Sequence, residues 1–93
     1  MARTAVEIVK DALRIRHTAL DEEIERLVKA ARADIIRVGV DASLAESDDD
    51  LVMQAIVTYC SLYLTADTSL MDKYIRAYEI QIEGFRRMSG NES

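Results

Sequence analysis

Apolar and polar positions along the chain fall into four stretches that repeat at about 100° per residue, and each predicts a helix. The first, roughly Thr4 to Ile15, gathers Val6, Val9, Ala12 and Leu13 on one side and Glu7, Lys10 and Arg14 on the other. The second, roughly Ala19 to Val38, is the most regular: Leu20, Ile24, Leu27, Val28, Ala31, Ile35 and Val38 share an arc of about 100°. Glu22 with Arg26 and Glu25 with Lys29 add two favourably oriented i,i+4 pairs. Thr18 is the expected N-cap, ahead of an acidic first turn at Asp21, Glu22 and Glu23. Gly39, just past the last periodic residue, is expected to take the left-handed conformation and let Val40 fold back on the last turn.

The third stretch, Asp48 to about Ala66, differs in kind. Ser47 and Asp50 give a Ser-x-x-acid start signal, and from Leu51 onward the only polar side chains are Gln54, Thr58, Ser61 and Thr65, on one stripe about 60° wide. A helix so apolar around most of its circumference is expected at the centre, packed by other helices or by a neighbouring subunit. The fourth stretch runs from a weaker cap at Ser69 to about Met88, with Met71, Tyr74, Ile75, Tyr78, Ile82 and Phe85 at helical spacing. Two residues break the pattern. Ile36 and Ile80 fall among the charges of the second and fourth helices, where a monomer has no evident use for them. The expected fold is all-α: a small four-helix bundle in a single domain, residues 1–88, with a long acidic loop between helices two and three and a flexible polar tail at 89–93.

Composition sharpens this picture in one place. The 93 residues carry 12 basic and 17 acidic side chains, a net charge of -5. Asp41, Glu46, Asp48, Asp49 and Asp50 lie in a stretch without Lys or Arg, so the whole excess sits there and the remainder is neutral. Such a balance lacks the basic stripe that holds phosphates by counterion release, which argues against sequence-specific DNA binding. The apolar run from Leu51 to Ala66 is shorter than the roughly 20 residues a membrane span needs, and Glu7 and Asp11 interrupt the amino-terminal stretch where a targeting segment would be apolar.

Candidate chemistry is sparse. His17 is the only histidine and Cys60 the only cysteine, expected in a loop and in a buried helix. One Cys forms no intrachain disulfide, which fits a reducing compartment or no redox role. The Asp48-Asp49-Asp50 run lacks the Asp-x-Asp-x-Asp-Gly pattern of a calcium loop and reads as a solvated helix start. No phosphate loop, nucleophile elbow or paired acid is recognisable, so no catalytic, cofactor or metal residue is assigned. Tyr59, Tyr63, Tyr74 and Tyr78 fall on the inward faces of the third and fourth helices, read as core packing with hydroxyls at the rim.

The order of short motifs does resemble a family. Val9-Lys10-Asp11-Ala12-Leu13-Arg14-Ile15 is followed by Asp21-Glu22-Glu23-Ile24, Leu27-Val28-Lys29-Ala30-Ala31, Gln54-Ala55-Ile56, Tyr59 through Leu64, and Tyr74 through Glu79. This ordered set, from about Val6 to Met88, is similar to the small head-tail connector (adaptor) proteins of tailed bacteriophages and prophages, also labelled DNA-packaging or head-completion proteins. The acidic segment between helices two and three is longer than the bare pattern needs. The resemblance implies a non-enzymatic virion protein without a cofactor. It would be made in the host cytoplasm and placed at the head-tail junction as a ring, typically dodecameric, between the portal protein and a tail or stopper protein. DNA would pass through without sequence-specific binding, and no membrane is involved. Ile36 and Ile80, on separate helices, are the expected subunit-interface residues, and Asp41, Glu46, Asp48, Asp49 and Asp50 are expected to face the channel or a basic partner. The periodicity is equally compatible with a small cytoplasmic helical regulator or adaptor, antitoxin-like, that binds one protein partner.

Overall fold

Thr4 opens the first helix by a reciprocal cap: its hydroxyl accepts from the Glu7 backbone N–H (3.1 Å), and the Glu7 carboxylate accepts from the Thr4 N–H (2.9 Å). The computed structural model describes residues 4–90 and is all-helical over them. Its elements are α1 (Ala5–Leu13), α2 (Asp21–Arg37), α3 (Ala42–Ala45), α4 (Asp50–Leu64) and α5 (Thr68–Gly90). Four correspond to the expected helices. The fifth, α3, is a single turn inside the segment expected to be a loop.

Two helices end on the same device. Gly39 takes φ +108°, its N–H donates to the Ile36 carbonyl (2.9 Å), and the Val40 N–H reaches back to Ile35 (3.3 Å). Val40 is consequently buried against the core, as the pattern predicted. At the end of α1 the same pair of bonds runs from Arg14 to Asp11 and from Ile15 to Lys10, but there the left-handed residue is Arg14, at φ 59°. Only the glycine is free of the steric cost of that conformation.

Aspartates, not Ser or Thr, start the later helices. Asp41 accepts from the Ser43 N–H and Asp49 from the Leu51 N–H, while Asp67, just before α5, accepts from the N–H and hydroxyl of Ser69. The caps expected at Thr18, Ser47 and Ser69 are therefore corrected. Leu20 precedes α2 without a side-chain cap, the Ser47 hydroxyl donates to the Leu44 carbonyl and accepts from the Asp49 N–H, and Ser69 lies inside α5. A carboxylate outcompetes a hydroxyl here because it carries a full negative charge at the positive helix end. Helix α5 continues through Gly90, two residues beyond the expected end at Met88, and 91–93 of the expected tail lie outside the described residues.

One core joins these elements. Val9, Ile24, Ala31, Ile35, Val52, Ile56 and Cys60 are fully buried in it, and each large aliphatic among them contributes about 2 kcal/mol by leaving water. Helix α4 is the hub, packing against α1, α2 and α5, as its continuous apolar surface predicted. It is not enclosed. The molecule measures 45 × 36 × 17 Å, and its radius of gyration of 13.2 Å exceeds the roughly 12.3 Å of a compact domain this long. A slab so thin holds at most two helix layers of about 10 Å each, so a strip of α4 bearing Leu51, Gln54 and Thr58 stays uncovered. Among the described residues no helix is long and apolar enough to cross a membrane.

Candidate interaction surface

The acidic segment is held down by one cation. Arg32 lies at the edge of the apolar arc of α2, and its guanidinium donates to the carbonyls of Ala45 (3.0 Å) and Ser47 (2.7 Å) and meets the Asp48 carboxylate at 3.4 Å. With Asp41 capping α3 and Asp49 capping α4, three of the five acids are engaged in local structure, and among the described residues only the Glu46 and Asp50 side chains form no hydrogen bond or ion pair. The Ser43 hydroxyl and the Leu44 N–H hold the Asp41 carboxyl below the usual carboxylate range, as Ser69 does for Asp67. The expectation of a long acidic loop thus becomes a charged ridge pinned to α2.

The two isoleucines expected at an interface are placed differently. Ile36 is half-buried and packed against the core, so part of its apolar surface is used within the subunit. Ile80 is 67% exposed, the most exposed large hydrophobic residue among those described, and Tyr63 (59%), Leu51 (47%) and Ile75 (41%) follow it. Ile36 and Ile80 lie on separate helices, α2 and α5, the first half-buried and the second exposed.

The tyrosines form a lock between helices α2, α4 and α5. The Tyr78 hydroxyl donates to Asp34 Oδ2 (2.8 Å), while Asp34 Oδ1 accepts from Arg37 Nε (3.1 Å) one turn along α2. Tyr59 meets the Tyr78 ring edge-on at 5.6 Å and the Tyr63 ring at 4.8 Å. Burial, followed by the Asp34 carboxylate, drives the Tyr78 phenol well above its ordinary range; burial and then Tyr63 push Tyr59 up to about 12. Arg37 is raised in turn by its bond to Asp34. Tyr59, Tyr74 and Tyr78 are half-buried as expected, whereas Tyr63 stands outward at the end of the stack. Asp34 was missed by sequence reasoning. Its signal was its position at the second edge of the α2 apolar arc, opposite Arg32.

His17 is exposed between α1 and α2, and Cys60 is buried in α4 with its thiol pushed up to about 12 by desolvation. Among the described residues no group of three or more His, Cys, Asp or Glu is placed to hold a metal ion. What remains chemically distinctive is surface. The uncovered strip of α4 carries a groove of about 500 Å³ toward α1, lined by Ile8, Ala12, Asp50, Met53 and Thr58 among others, and a notch of about 180 Å³ toward α5 at Leu51, Gly84 and Phe85; Gln54 and Gln81 line both. Such a surface can seat a helix or a large side chain. Compared with protein-family models, curated proteins and solved structures, the chain matches none of them.

Proposed function

We propose that this chain is a virion structural protein of a tailed bacteriophage or prophage, a head-tail connector that forms a ring between portal and tail and extends the DNA channel after packaging. The reading rests on the ordered motifs from Val9 to Glu79. The observation that carries it further is a thin helical slab exposing Ile80, Tyr63, Leu51 and Ile75 around an incompletely covered central helix. Such surface is expected of a subunit completed by its neighbours. In this reading the four longer helices form the bundle of each subunit, and α3 belongs to the acidic connection. The protein has no enzymatic activity and works by geometry: its ring docks on the portal protein and presents its far side to a tail or stopper protein. The ridge of Asp41, Glu46, Asp48, Asp49 and Asp50 faces the channel, where negative charge repels the DNA backbone and lets it slide.

The test is negative-stain electron microscopy of the purified protein, alone and mixed with the portal protein encoded in the same genome. Rings coaxial with the portal are the expected result. A stable heterodimer with one small partner, and no binding to portal, would overturn the proposal in favour of a regulator.

A further inference from the structure

We draw no further inference here: the strongest candidate, the uncovered strip of α4 with its groove toward α1 and its notch at Leu51, Gly84 and Phe85, is an unpartnered face with nothing in the structure to show what covers it.

Discussion

Removing the bond between Asp34 and Tyr78 should unlock α5 from α2, and its worth can be worked from the geometry. The Tyr78 hydroxyl is part-buried, lies 2.8 Å from Asp34 Oδ2, and is 44 residues distant in sequence. Hydrogen bonds to a charged group are worth about 1.5–3 kcal/mol. Two factors favour the lower end: the Asp34 side chain keeps 22% exposure, so water can replace the phenol, and Arg37 still satisfies Oδ1. Tyr78→Phe keeps the ring contact with Tyr59 and should cost about 1.5 kcal/mol, a substantial share of the roughly 5–14 kcal/mol expected for 93 residues. The thermal midpoint should fall by roughly 6–12 °C. Asp34→Ala should cost a similar or larger amount, since it strands the phenol and frees Arg37. The decisive quantity is the coupling in the double-mutant cycle, read by urea unfolding followed at 222 nm, and it should be about 1–1.5 kcal/mol. A coupling below about 0.3 kcal/mol is indistinguishable from additivity and would refute the claim that this bond holds α5 in place.

Two further outcomes follow from the same structure. Arg14→Gly should stabilise the protein by about 0.5–1 kcal/mol by relieving a left-handed non-glycine residue, whereas Gly39→Ala should cost about 1–2 kcal/mol, both read from urea midpoints. Because burial raises the Cys60 thiol to about 12, above its unfolded value of about 8.5, its stabilising contribution is complete below about pH 8.5 and is lost as pH rises toward 12. Unfolding free energy should therefore fall by about 0.7 kcal/mol between pH 8 and 9, below the range in which unfolded tyrosines ionise, and Cys60→Ala should flatten that slope; a wild type unchanged across that window would contradict the assignment.

The features legible from sequence were those set by local geometry. Gly39 and Val40 sit where a glycine after a periodic helix must place them, because the bonds involved span only a few residues. The central position of α4 was likewise written in its apolar circumference. What escaped were long-range or competitive choices. Ile36 falls among the charges of α2 yet packs partly against the core, and Asp34 gains its partner from a residue 44 positions away. The caps were misjudged for a subtler reason: Ser47 and Asp49 can both cap a helix, and the aspartate takes the position while the serine closes the preceding turn. Gln81 and Gly84 carried no pattern at all until the helices beside them were in place.

Pinning the acidic segment changes what its charge can do. A flexible projection would adapt to any cationic partner and pay for ordering on contact, whereas a ridge fixed by Arg32 and by two aspartate caps presents its charge at a defined place. Its field reaches only about 8–10 Å at physiological salt, so it acts on groups that pass close by and steers little at a distance. In the connector proposed above, that is the behaviour suited to a surface that DNA slides past without binding. Asp50, the last acid of the ridge, also lines the groove toward α1, so the ridge's charge reaches the edge of the uncovered α4 strip.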